Sequence, residues 1–355
     1  MECKTALVPG SSGIIGRTLI EYLSQLEDWN VVGLARRQSE PTSNTKFISV
    51  DLLDRADCQQ KLGGLNDISH IFYAAYQPRS TLAEEVEPNK TMLKNIVEVI
   101  ETASPNLQHV TLITGGKFYG AHLGPFKTPA KESDPRHMPP NFYYDQLDFL
   151  QEHQQGKAWA WSNLRPSHLC GFAVGNPMNL ITVIGVYAAI SKELGLPLRF
   201  PGVPAAYNAL TQMTDATLLA KASVWAATEP RCRNESFNIA NGDHVRWQYI
   251  WPKLAEFFGM EYAPLQIISL TEFMADKGML WEKMVKKYGL QLYPYDKLIA
   301  WQFGDAIFRM GYDVILDTNK IRLFGFHDYV DSKEMFFHRL NELQRERIIP
   351  HYTAT

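Results

Sequence analysis

Long apolar runs are missing from this 355-residue chain. No stretch approaches the roughly 18 consecutive apolar residues that a membrane-spanning helix needs. The start, Met1-Glu2-Cys3-Lys4, leads straight into an apolar strand without the basic region or cleavage site of a secretory signal, so the expected location is the cytoplasm. Cysteine is scarce as well. Cys3, Cys58, Cys170 and Cys232 stand far apart with no CxxC or Cys/His ligand spacing, which fits reduced thiols and argues against a disulfide framework or a zinc site. No metal is expected. Runs of lysine or arginine are lacking too, and the formal net charge is −3, so neither nucleic acid nor an anionic membrane is an expected partner. That leaves a small molecule. With neither an internal repeat nor a low-complexity segment, solenoid and disordered architectures drop out.

What is present is a large globular composition, 45% hydrophobic and 21% charged, enough to bury a sizeable core. Apolar runs at Thr5–Val8, Asn30–Ala35, Lys46–Val50, His70–Ala75, His109–Thr114 and Trp159–Arg165 read as strands. Helix-like segments such as Asn89–Thr102 and Tyr143–Gln151 separate the later ones. Strands alternating with crossover-length helices predict an α/β fold with a doubly wound parallel sheet. The pattern loosens after about residue 166, with helices expected near Asn179–Leu194, Asp215–Ala227, Trp247–Phe258 and Leu270–Lys287. The expected division is a cofactor-binding core over 1–170 and a smaller, mainly helical C-terminal region over 171–355 whose strands and helices return to the core. Aromatics such as Trp281, Tyr293, Tyr295, Trp301, Phe308, Phe324 and Phe326 crowd that region. Core packing accounts for most of them, and a substrate pocket needs only a few.

The glycine-rich segment Gly10-Ser11-Ser12-Gly13-Ile14-Ile15-Gly16 follows the first strand and opens a helix. Residues without side chains permit a tight turn there and let a pyrophosphate approach the positive end of the helix, with Gly10, Ser12, Gly13, Ile14 and Ile15 around it. The second strand ends in Arg36-Arg37, where folds specific for NAD carry an acid. Two guanidinium groups would instead grip a 2′-phosphate, so NADPH is the expected cofactor. Asp51 and Leu52, at the end of the third strand, are expected beside the adenine. Ala74, closing the fourth strand, is small enough for the cofactor to lie close.

One more absence concerns the chemistry. Short-chain dehydrogenases carry a lysine four positions after their reactive tyrosine, one helical turn on. Here Leu147 follows Tyr143 at that spacing and Asp148 follows Tyr144, while a lysine appears upstream in Thr114-Gly115-Gly116-Lys117. Lys117 is expected just past the fifth strand and Tyr143 at the head of the next helix, both facing the carboxyl ends of the sheet where ligands bind. A cation beside a phenol eases its ionisation.

The segments Thr114–Gly120 and Asn141–Asp145 resemble signature segments of the progesterone 5β-reductase and iridoid synthase family of extended short-chain dehydrogenases. Arg36-Arg37, Arg165-Pro166, Met178-Asn179-Leu180, Phe237–Asp243 and Trp301–Asp305 resemble it as well, so the likeness spans nearly the whole chain. The resemblance implies a Rossmann-type fold and NADPH-dependent reduction of the activated double bond of an enone or enal. In it Tyr143 and Lys117 are catalytic, and Tyr144 packs. Thr114, Lys117, Tyr143, Pro166 and His168 would contact the cofactor; Phe126, His168, Asn179 and Phe303 would contact the substrate. This chain departs from the family where plant members commonly read Arg-Pro-Gly-Asn and it reads Arg165-Pro166-Ser167-His168, and in the extra residues Gly120–Gly124 before Phe126. Weighed against that reading are a carbonyl reductase or sugar-nucleotide-modifying enzyme on the same fold and a non-catalytic NADP(H) sensor. The sequence leaves the natural substrate and the oligomeric state open, a homodimer included.

Overall fold

The structure, a computed structural model, describes residues 3–36, 44–176 and 178–352. In chain order its elements begin β1 (Lys4–Pro9), α1 (Ile14–Leu23), β2 (Trp29–Ala35), β3 (Thr45–Ser49), α2 (Arg55–Leu62), β4 (His70–Tyr73), α3 (Leu82–Ala103), β5 (His109–Ile113), α4 (Phe142–Gln154) and β6 (Ala160–Pro166). They continue β7 (His168–Cys170), α5 (Leu180–Glu193), β8 (Leu198–Arg199), α6 (Pro204–Asn208), β9 (Met213–Asp215), α7 (Ala216–Thr228), β10 (Glu235–Ile239), α8 (Trp247–Phe257) and β11 (Tyr262–Ala263). The remainder is helical: α9 (Leu270–Phe273), α10 (Gly278–Tyr288), α11 (Tyr295–Leu298), α12 (Trp301–Phe308), α13 (Asn319–Leu323) and α14 (Ser332–Arg345). Among the described residues no helix is long and apolar enough to cross a membrane.

The chain divides into two compact units, Met1–Ser167 with Ala216–Ile239 and Leu316–Asp328, and His168–Asp215 with Ala240–Ile315 and Tyr329–Thr355. Two later stretches thus fold with the first unit, and the first crossing falls at Ser167/His168.

The first unit is a Rossmann-type fold, a parallel sheet of seven strands in the order β10-β6-β5-β4-β1-β2-β3. β4, β5 and β6 are buried along their whole length, as befits strands covered on both faces by crossover helices. α1 packs on α7 and α3 on α4. Strand order reverses between β1 and β4, which in open α/β sheets is where the crevice for a ligand opens. The core there is built from Leu7, Ile71, Leu93, Ile96, Val110, Leu112 and Leu150, all fully buried.

Six strands lie where the apolar runs predict them. The seventh, β10, pairs in parallel with β6 from Glu235↔Ser162 to Ile239↔Pro166 and carries no apolar run of its own. Helix α3 starts at Leu82, earlier than the expected Asn89. Thr81 Oγ1 accepts from the Glu84 amide while the Glu84 carboxylate accepts from the Thr81 amide, and this capping box nucleates a helix that runs through Pro88.

The second unit has its own core, in which Trp251, Trp281, Phe200, Phe258, Phe308 and Phe336 are fully buried. Its strands form two short parallel pairs, β7 with β9 and β8 with β11. The single helix expected over Leu270–Lys287 is two, α9 and α10. Tyr295 donates to the Met274 carbonyl at 2.8 Å, occupying the acceptor that a continuous helix would have offered to Gly278.

Candidate active site

The turn after β1 is shaped by Gly10. Its φ of +86° suits a residue without a β-carbon, and a methyl group there would lie 2.6 Å from the Ala74 carbonyl carbon and oxygen. Gly10 and Ala74 therefore meet at the switch point between β1 and β4. Gly16 is as constrained, since a β-carbon would lie 2.2 Å from the Gly10 oxygen. Gly13 sits at the N-cap of α1, where no side chain caps the helix and its first turn carries no acid, so the positive end of the helix is left for an anion. Ser11 Oγ is buried there without a hydrogen-bond partner. Ile14 is buried, Ile15 half-buried and Ser12 exposed. An uncapped helix end, glycines that permit close approach and an orphaned hydroxyl fit the pyrophosphate of a dinucleotide.

Arg36 follows β2 and is exposed, its carbonyl accepting from Ser49 Oγ at 3.0 Å. Arg37 lies outside the described residues. Asp51 is exposed and turns its Oδ1 to the Leu53 amide at 3.0 Å, while the carbonyl of buried Leu52 receives Asn95 Nδ2 at 2.9 Å.

Lys117 belongs to one turn of 3-10 helix, Gly116–Tyr119, directly beyond β5. Tyr143 is the second residue of α4. A methyl group on Gly115 would stand 3.7 Å from the Tyr143 hydroxyl and 3.4 Å from the Pro166 carbonyl oxygen, so the phenol reaches back to the carboxyl ends of β5 and β6. Thr114 is buried there and donates its hydroxyl to Asn163 Oδ1 at 2.8 Å. Asn141 joins the two segments, accepting from the Tyr143 amide at 3.1 Å and donating to the Lys117 carbonyl at 2.8 Å. Phe142 fits its ring edge-on to Tyr143 with centroids 4.5 Å apart, and Tyr76 stacks on Phe142 at 5.4 Å.

Tyr76 donates to Glu85 Oε1 in a short hydrogen bond. Glu85 is 5% exposed, and its Oε2 is buried without a partner. Burial and then the charge of Glu85 push the Tyr143 phenol well above its ordinary range. Both influences favour the protonated phenol, a hydrogen-bond donor.

Tyr144 packs, as expected. Its hydroxyl donates to the Phe118 carbonyl at 2.7 Å and accepts from the His137 amide at 2.9 Å, and its ring meets Phe118 edge-on. The positions where a YxxxK lysine would stand are otherwise engaged, with Leu147 in the core and Asp148 paired with Arg136. The extra loop residues have a place too. Gly120 takes φ +80°, with the His137 ring 2.3 Å from where its β-carbon would be. His122 is pushed down to about 4 by burial, then by Lys117 and His137. Phe126 is half-buried against the core of the first unit.

Of the residues expected at the site, those of the glycine turn, Ala74, Thr114, Lys117, Tyr143 and Pro166 belong to the first unit, where Gly10 meets Ala74 and the Tyr143 hydroxyl lies near Gly115. His168, Asn179 and Phe303 belong to the second unit. His168 opens β7, half-buried, and burial lowers it to about 4, so it is neutral at physiological pH. Both ends of the Asn179 amide are engaged at the start of α5, accepting from the Thr182 amide at 3.2 Å and donating to the Ala173 carbonyl at 2.8 Å. Phe303 lies on α12, partly buried against the core of that unit. The sequence did not single out Glu85, Tyr76 or Asn141 as neighbours of these residues. Asn141 alone had a signal, a capping residue directly before a helix.

Residues 48–350 match the PRISE-like Rossmann-fold domain. The chain belongs to that family. As a member it is an oxidoreductase, and its curated relatives agree along nearly their whole length. An (S)-8-oxocitronellyl enol synthase of Nepeta cataria is 38% identical over 97% of this chain and 93% of its own. A 3-oxo-Delta(4,5)-steroid 5-beta-reductase of Arabidopsis thaliana is 36% identical over the same shares, and a short chain dehydrogenase of Penicillium aethiopicum is 31% identical over 98% of this chain and 99% of its own. Among solved structures, the UDP-glucose 4-epimerase of Thermotoga maritima, in complex with UDP-glucose, superposes with a TM-score of 0.69 at 15% identity, covering 96% of this chain and 99% of the epimerase. The enzyme WbmH of Bordetella bronchiseptica, in complex with NAD+, gives 0.66 at 16% identity over 96% and 98%. At such identities these two share the fold.

Proposed function

We propose that this family member reduces the activated carbon–carbon double bond of an α,β-unsaturated carbonyl compound with NADPH. The observation that carries the reading is the phenol of Tyr143 at the carboxyl ends of β5 and β6, cross-linked through Asn141 to the segment bearing Lys117. The steroid 5-beta-reductase and the enol synthases among its relatives support it.

NADPH, when bound, supplies a hydride to the β-carbon of the substrate. Gly10, Gly13 and the uncapped start of α1 hold the pyrophosphate, and Arg36 with Arg37 selects the 2′-phosphate. Tyr143, kept neutral, donates to the carbonyl oxygen, and that bond strengthens as enolate charge develops. A donor aimed at developing charge contributes roughly 3 kcal/mol, on the order of a hundredfold in rate. Lys117 supports the same oxyanion electrostatically and contacts the nicotinamide ribose. Phe126, half-buried in the first unit, is proposed to line the substrate.

The test is NADPH consumption against cyclic enones, linear enals, simple ketones and UDP-sugars, with product analysis to separate double-bond from carbonyl reduction. Saturated carbonyl products from enones or enals are expected. Allylic alcohols, or turnover of ketones or UDP-sugars alone, would overturn the reading.

A further inference from the structure

In a YxxxK enzyme the helix itself sets the distance between phenol and ammonium, because residues four apart lie one turn away on one face. Here Lys117 and Tyr143 are separated by a loop containing Pro125, Pro129, Pro135, Pro139 and Pro140, so no helical register relates them. Their placement depends on cross-links between the 3-10 turn and the start of α4. Two side chains supply these, onto neighbouring carbonyls: Asn141 onto Lys117 at 2.8 Å, and Tyr144 onto Phe118 at 2.7 Å. Only Asn141 acts on the reactive residues themselves. It is 7% exposed; its Oδ1 accepts from the Tyr143 amide at 3.1 Å while its backbone carbonyl receives the Tyr144 amide at 2.9 Å. The Lys117 carbonyl already receives the Gly120 amide at 3.1 Å, and Asn141 Nδ2 takes a second place on that oxygen.

The two duties need an amide. Capping requires only an acceptor, which Asp, Ser or Thr supplies about as well as Asn. Holding the Lys117 carbonyl requires a donor from the same side chain at the same time, and an ionised carboxylate has none. We propose that Asn141 is the positioning residue of the Lys117–Tyr143 pair, doing through one side-chain amide what helical register does in a YxxxK enzyme. This rests on the reading of Lys117 and Tyr143 as the reactive pair.

The Asn141→Asp variant separates the duties, since it keeps the cap and puts an oxygen against the Lys117 carbonyl. Asn141→Gly, tolerated at a helix cap and without a side-chain donor, serves if the aspartate variant does not fold. The measurements are the NADPH dissociation constant by fluorescence titration, then kcat and KM on an enone that the wild type reduces, each in Asn141→Asp, Lys117→Met and the double variant. Asn141→Asp is expected to weaken NADPH binding about fivefold and to lower kcat about tenfold, with KM for the enone changed less than threefold. In the Lys117→Met background the same substitution should have little further effect, because Asn141 acts through the placement of Lys117. A purely structural residue would lower thermal stability and leave the losses of the two single variants multiplying. Multiplying losses, or binding and turnover both within twofold of wild type, would overturn the inference. If the wild type reduces no enone, the binding cycle still decides it: non-multiplying losses of NADPH affinity sustain the positioning role while the proposed reaction falls.

Discussion

Tyr143 and Glu85 are linked electrostatically: after burial itself, the charge of Glu85 pushes the Tyr143 phenol above its ordinary range. The sign follows directly. Burial and a neighbouring negative charge both penalise the phenolate, so the proton is released only above the ordinary tyrosine value of about 10. Enone reduction is therefore expected to show no loss from Tyr143 ionisation between pH 7 and pH 9.5, with any descending limb lying higher. Glu85→Gln removes the second influence and should move that limb to lower pH. Rate–pH profiles of both proteins measure it. A wild-type limb between pH 7 and 9 that disappears in Tyr143→Phe would show the phenol to ionise more easily than proposed.

Removing the hydroxyl separates chemistry from binding. Tyr143→Phe should lower turnover on a good enone by roughly 10²–10³-fold with little change in NADPH affinity, as for an interaction made mainly in the transition state. Lys117→Met should reduce both turnover and NADPH affinity. Tyr144→Phe, whose hydroxyl is spent on Phe118 and His137, should cost much less in turnover and more in thermal stability. Steady-state kinetics beside melting curves distinguish the three, and near-full activity in Tyr143→Phe would remove its proposed role.

The proposed preference for NADPH rests on the charge of Arg36 and Arg37. Replacing Arg36 and Arg37 together with neutral residues should weaken NADPH binding by at least about tenfold per arginine, since bonds to charged groups contribute about 1.5–3 kcal/mol each. NADH binding should hardly change. Titration of both nicotinamides against wild type and the double variant tests this, and equal losses for the two cofactors would contradict it.

Two glycines of one loop should respond in opposite ways. Gly10→Ala meets the Ala74 carbonyl and a left-handed backbone, so it should lose stability by at least about 1–2 kcal/mol, read by denaturant unfolding. Gly13 has an ordinary φ of −81°, so Gly13→Val should stay folded while its side chain fills the space of the pyrophosphate and abolishes binding. A folded Gly13→Val that keeps its NADPH affinity would argue against a phosphate site there.

The parts of the fold that were legible are those whose signal is local. An apolar run between turns marks β1 to β6, and the glycine turn marks the start of α1. β10 was hidden because its sequence Glu235-Ser236-Phe237-Asn238-Ile239 is half polar. Its buried asparagine is satisfied by distant groups, accepting from Tyr119 Oη at 2.6 Å and donating to the Ala130 carbonyl at 2.9 Å, and no local pattern announces such partners. The site divides in the same way. Lys117 and Tyr143 are visible through the motifs around them. A buried acid such as Glu85, on a helix whose other first-turn acid Glu84 caps its own N-terminus, looks in sequence like any exposed helical carboxylate.

The late return of β10 to the edge of β6 also sets a schedule for synthesis. β6 is complete at Pro166, but its partner begins only at Glu235, after the ribosome has made the whole His168–Asp215 stretch of the other unit. At ordinary elongation rates the outer edge of β6 is without its strand for on the order of several seconds. Over that interval the nascent chain presents an unpaired strand edge.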